Sequence, residues 1–229
     1  MDVHVAVEAA DRLDIQPREQ RWRSVSYCVI DAVWSIGAKY DPVVAPLVRR
    51  VAAAYGDDQP LTQNIDNPGD DPAPLPDFRA RFSSPEALME VVNNEQRTSP
   101  RGGILKTEAV IRYVDTLLEH DVRDLVSAQD VLNDRDAESA VTQSLAQIPG
   151  RGVREGYFWM LIGANHLVKP DRQVLRWLSD NDIDTDVEGA RGVLAEIARR
   201  LSERRGVEVT PWEVDNAIWR SITQSAARY

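Results

Sequence analysis

Apolar residues recur at three- and four-residue spacing in segment after segment of this 229-residue chain, and nowhere do they alternate with polar ones over a strand's length. Such a pattern buries its apolar stripes helix on helix, so the expected fold class is all-α. Val25, Val29, Ile30, Val33 and Ile36 place a first strong helix over 24–37. Pro42 opens a second over 43–55, with Val44, Leu47, Val48 and Val51 on one face. Ser84-Pro85 reads as an N-cap followed by a first-turn proline, starting a short helix to Val92. After Gly102-Gly103 comes a long helix over 104–120, carrying Val110, Val114, Leu117 and Leu118. Shorter helices are expected over 128–133 and 137–147, and an apolar one running to about Leu167. Thr185-Asp186-Val187-Glu188 and Thr210-Pro211-Trp212-Glu213 have capping-box spacing ahead of the last two helices. No internal repeat is visible.

Composition narrows the function classes. Hydrophobic residues at 43% can fill a core, which excludes disorder of the whole chain. No uncharged apolar run reaches the roughly 18 to 20 residues that span a bilayer, so no membrane is expected as a partner. The opening residues, Met1 to Asp14, are acidic and lack a basic-then-apolar signal pattern, and the expected location is the cytoplasm. Cys28 is the single cysteine, which excludes an internal disulfide, a cysteine-based zinc site and a four-thiolate iron–sulfur cluster. It reads as a small core residue. His4, His120 and His166 have no histidine partner at i, i+4, so no helical metal site is expected; His166 reads as a packing residue. Trp159, Trp177, Trp212 and Trp219 fall beside aliphatic residues at helical spacing and read mostly as core, though one of them or Tyr157 could line a pocket.

The formal net charge of −10 argues against an unselective nucleic-acid binder. That charge is unevenly spread. The stretch 57–77 holds six aspartates, five prolines and no basic residue, and reads as an acidic proline-rich loop. The stretch 149–176 instead sets Arg151, Arg154, Lys169, Arg172 and Arg176 against Glu155 and Asp171. An acidic chain with one basic patch can still hold phosphates at that surface.

The patch coincides with the most informative window. Ile148-Pro149-Gly150-Arg151-Gly152 separates two helical patterns, and its two glycines permit a tight turn and close backbone approach. The turn leads into a helix N-terminus, whose free amides favour an anion. Gly156 is expected to let the two helices pack closely. An ordinary helical hairpin would read the same way.

This segment resembles the helix-hairpin-helix of the HhH-GPD base-excision DNA glycosylases, the superfamily that includes endonuclease III. Their hairpin reads L-P-G-x-G with a small residue four positions later, then V-D-T/R-x-x-x-R about twenty residues on. Ile148 to Gly152, Gly156 and Asp171-Arg172-Gln173-Val174-Leu175-Arg176 fill those places. Ile104 to Val110 is similar to the family's helix that begins with K-A-x-x-I/L, and weaker likeness extends over about 22–223. Three features depart from the pattern. There is no four-cysteine cluster after the last helix. Arg154 stands where lyase-type members have a lysine. Trp34-Ser35-Ile36-Gly37 lacks the glutamine that commonly follows the serine.

The resemblance implies one helical unit over 1–229 with two lobes, about 104–170 with the hairpin and about 22–55 packed with 171–229. It implies DNA as partner, no obligate cofactor, and a monovalent cation on the hairpin carbonyls. Asp171 would be catalytic, stabilising an oxocarbenium-like sugar and orienting water, while Gly150, Arg151, Gly152, Arg154 and Arg172 would hold DNA. A guanidinium at Arg154 forms no Schiff base, so the implied enzyme is a monofunctional hydrolase. Other readings stand beside it. Asp171 follows Pro170 and precedes an apolar helix, so it reads equally as an N-cap. Arg151 and Arg154 read equally as solvated turn residues. A non-catalytic member of the fold that binds DNA or protein is the alternative function, and a helical scaffold unrelated to DNA is a third.

Overall fold

A computed structural model of the chain describes residues 3–63, 69–150, 154–168 and 170–226. It is all-α apart from a two-residue antiparallel ribbon. The elements divide into two compact units, 20–163 and 1–19 with 164–229.

The larger unit, 20–163, is built round α2 (Val25–Trp34), every residue of which is buried. A helix with no solvent-facing side, apolar apart from Ser26 and Asp31, has to be surrounded. It packs against α3 (Ala45–Ala54), α4 (Leu75–Arg81), α6 (Lys106–Glu119) and α9 (Arg154–Ile162). The unit also contains α5 (Pro85–Val92), α7 (Leu125–Asn133) and α8 (Arg135–Leu145). A single π-helical turn, Tyr40–Val44, leads into α3. The ribbon pairs β1 (Arg21–Trp22) with β2 (Leu61–Thr62).

The acidic stretch 57–77 does more than connect. Residues 64–68 lie outside the described ones, but Ala73 and Leu75 are fully buried and Leu75 opens α4. Asp71 enters the core as a shared cap. Its Oδ2 accepts from the amides of Val25 (3.0 Å) and Leu125 (3.1 Å), the first residues of α2 and α7. Its Oδ1 accepts from Ala73 (3.0 Å). Two helix N-termini thus meet one carboxylate, which suits their dipoles, while burial pushes the Asp71 carboxyl up from its usual range.

The smaller unit contains α1 (His4–Asp11), α10 (Arg172–Ser179), α11 (Val187–Arg205) and α12 (Pro211–Ala226). Its core joins Ala6, Val7 and Ala10 to Leu178, Leu194, Ile197, Leu201 and Ile218. Arg204 donates to Glu8 (2.5 Å) and Asp11 (3.0 Å), and Arg205 donates to Asp11 (3.0 Å), tying α1 to the end of α11. Asp186 is the N-cap of α11, accepting from Gly189 (2.8 Å), one residue later than the capping-box spacing implies. The second box is present as expected: Thr210 Oγ1 accepts from the Glu213 amide (3.3 Å), and Glu213 Oε2 accepts from the Thr210 amide (2.8 Å).

In this division the segment 22–55 shares a unit with α8 and α9, since α2 packs against α6 and α9 as well as α3 and α4. Among the described residues, no helix is long and apolar enough to cross a membrane.

Candidate functional site

The segment expected to form the hairpin is flanked by α8 and α9. Asp134 caps α8, its Oδ1 accepting from Asp136 (3.0 Å) and Ala137 (3.1 Å). Trp159 on α9 donates from Nε1 to Thr142 Oγ1 on α8 (2.8 Å), and Phe158 meets Tyr113 of α6 edge-on at 5.4 Å. Between them Gly150 has φ +90°, a left-handed value that a side chain strains. A Cβ there would lie 2.3 Å from Thr98 Cβ, so glycine is required twice over. Gly156 does not share that role: among the described residues, a Cβ on it would meet nothing within 4 Å. The close approach is made by Gly150 against Thr98, in the loop ahead of α6.

Of the expected DNA-contacting residues, Arg151 and Gly152 lie outside the described residues, as does Lys169. Arg154 is the first residue of α9, and its side chain also lies outside the description. Arg172 is exposed at the first position of α10. Asp171 is the N-cap of that helix: its Oδ1 accepts from Gln173 (2.8 Å) and Val174 (3.0 Å). Gly150 and Arg154 therefore belong to the larger unit, and Asp171 with Arg172 opens α10 in the smaller. His166, read as a packing residue, is exposed, because α9 ends at Ile162 and leaves it in the connection. Trp159 and Cys28 are fully buried, as their spacing implies.

Two polar assemblies in the larger unit had not been singled out. The first surrounds Asp31, which has no exposed surface. Its Oδ2 accepts from Trp22 Nε1 (2.6 Å) and the Tyr40 hydroxyl (3.0 Å), and its Oδ1 from Ser35 (2.8 Å). Tyr157 of α9 adjoins the same carboxylate, and burial together with that charge holds the Tyr157 phenol well above its usual range. The signal was available: Asp31 is the only charge in the apolar run from Val25 to Trp34.

The second is centred on Lys106, 1% exposed. Its ammonium donates to the carbonyls of Trp34 (3.0 Å) and Ile36 (2.7 Å) and to Gln96 Oε1 (3.1 Å). A cation at the end of α2 complements that helix's dipole, whereas burial pushes Lys106 down to about 8. An open cleft of about 330 Å³ adjoins it, lined by Ile36, Gln96, Arg97, Thr98 and Ser99. Among the described residues, no group of three or more histidine, cysteine, aspartate or glutamate side chains could hold a metal ion.

No curated protein and no solved structure matches the chain. A family model described as "Domain of unknown function (DUF8548)" matches residues 2–223, almost the full length, and the chain belongs to that family.

Proposed function

We propose that the chain is a DNA glycosylase-like protein that hydrolyses the N-glycosidic bond of a damaged or mispaired base. The reading starts from the resemblance of residues 148–176 to the glycosylase hairpin. The observation that supports it best is the Gly150 turn between α8 and α9, seated against Thr98 so closely that no Cβ fits. A glycine at this point, a few residues ahead of Arg154 and the N-terminus of α9, suits a phosphate held by backbone amides.

Asp171 supplies the chemistry in this reading. Both capping amides engage Oδ1, so the carboxylate is fixed in direction while Oδ2 is not committed to the cap. A fixed anion beside a developing oxocarbenium charge stabilises it without reorganisation, and the same oxygen can orient or deprotonate the attacking water. The monovalent cation implied by the resemblance would rest on hairpin carbonyls; it enters no step here.

A second reading has its own observation. Capping α10 accounts fully for an aspartate at position 171, which favours a non-catalytic protein that binds DNA or another protein through this fold. Incubation with a panel of damaged and mismatched duplexes, followed by alkali cleavage, separates the two. Strand scission only after alkali supports hydrolysis, and an uncut panel with intact duplex binding supports the second reading. Duplex binding that fails to weaken as salt rises contradicts a DNA contact in either reading, since phosphate contacts release counterions.

A further inference from the structure

Residues 3–18 belong to the smaller unit, yet the whole of the larger one separates them in sequence from α10, α11 and α12. On its own α1 is a poor helix. It has eight residues, too few to persist alone in water, and no side chain caps its N-terminus. Glu8 and Asp11 stand in its last turn, where the helix dipole disfavours negative charge. The side chains that this segment buries, Val3, Ala6, Val7 and Ala10, are small, so little apolar area seals it in place.

Arginines from α11 and α12 hold the segment instead. Arg204 donates to Glu8 (2.5 Å) and Asp11 (3.0 Å), and Arg205 donates to the Asp11 carboxylate and carbonyl (3.0 Å each). Arg220 donates to the Asp14 carbonyl (2.5 Å), and Arg18 lies over the Trp212 ring, 4.3 Å from its centre. Arg204 and Arg205 hold the Asp11 carboxyl below its ordinary value, and Arg204 does the same for Glu8. These ion pairs lie at the surface, with side chains 27% to 41% exposed, so salt weakens them. A segment with poor local propensity, fastened by screened charges, is the part of a fold that opens first.

We propose that residues 3–18 are a releasable strap: α1 leaves α11 in one piece while the rest of the chain stays folded, and Arg204 with Arg205 is the latch that ionic strength controls. Release uncovers the cluster that holds Ile197 and Leu201 of α11. It also takes support from α10, whose Val174 and Leu178 belong to that cluster. The strap thereby governs how firmly the Asp171 cap is held, whatever chemistry Asp171 performs.

Hydrogen–deuterium exchange of the full chain reads the opening directly, at one pD in about 0.05 M and about 1 M sodium chloride. The α1 amides are expected to exchange about threefold or more faster in the higher salt. The Gln173 and Val174 amides should move in the same direction, while those of α2 stay constant. Arg204→Gln combined with Arg205→Gln should show the fast α1 exchange already in low salt and lose the salt response. Arg199→Gln removes pairs to Glu196 and Glu203 within α11 and should behave as the parent does. Exchange of α1 no faster than that of α2 in both salts, or a salt response that survives the double variant, overturns the strap. An α1 loosened equally by Arg199→Gln overturns the latch. Unchanged Gln173 and Val174 amides beside a responsive α1 overturn the hold on α10. Duplex binding and base excision enter none of these readings, so the strap and the proposed function fail separately.

Discussion

Thr98 and Gly150 approach so closely that a Cβ on the glycine would lie 2.3 Å from the threonine's Cβ and 2.5 Å from its Oγ1. The contact joins the loop ahead of α6 to Gly150, a few residues past the end of α8. Gly150→Ala combines this overlap with a φ of +90°. It should cost about 1 to 3 kcal/mol from backbone strain alone. In a Thr98→Gly background only the strain remains. Urea unfolding of the double-mutant cycle should therefore give a coupling above about 0.5 kcal/mol; additive effects would mean that the two residues do not touch in solution.

Asp71 makes a sharper case about the acidic stretch. It serves the first amides of α2 and α7 with one oxygen and Ala73 with the other. Asp71→Ala should cost roughly 2 kcal/mol, about 1 for each first-turn amide left without its acceptor, Ser24 and Asp124 remaining as the N-caps. Asp71→Asn should cost less, since its single carbonyl oxygen can still serve both helices. Equal stability of all three proteins in denaturant would show that the stretch is a passive connection.

Lys106 gives a pH dependence whose sign can be worked out. Burial lowers it from 10.5 to about 8 in the folded protein. Between those values the unfolded chain holds the proton and the folded chain releases it, so stability rises with pH across that window. The neutral-amine stability is fully present above the unfolded value and is lost as pH falls through about 8. Measured against Lys106→Met, the parent's melting temperature should climb from pH 8 to 10. Parallel curves would place Lys106 at an ordinary lysine value.

Much of the fold was legible because it rests on local signals. Ser84 with Pro85, and Thr210 with Glu213, announce their helices through contacts three residues apart. Asp171 was readable as a cap for the same reason. What escaped depends on partners distant in sequence. Asp71 looks like one more loop aspartate until Leu125 comes to meet it 54 positions later. α1 is short, with no side-chain cap, and is supported by Asp11 and Glu8 pairing with Arg204, nearly two hundred residues away. Thr98 and Gln96 carry no pattern at all; only the folded loop sets them beside Lys106. The functional reading has the same limit, because spacing alone gives Asp171 two roles that use the same carboxylate.

Asp171→Asn separates those roles most directly. Asparagine caps a helix about as well as aspartate but brings no negative charge to an oxocarbenium-like sugar. On a duplex from the panel that the parent protein cuts, single-turnover excision by Asp171→Asn should fall by about 10² to 10⁴-fold, the usual range for a positioned acid or base. Its melting temperature should stay at the parent's, while Asp171→Ala should lose about 1 kcal/mol of stability. A folded Asp171→Asn protein that excises the base at the parent's rate would contradict the proposed catalysis and leave position 171 as a helix cap.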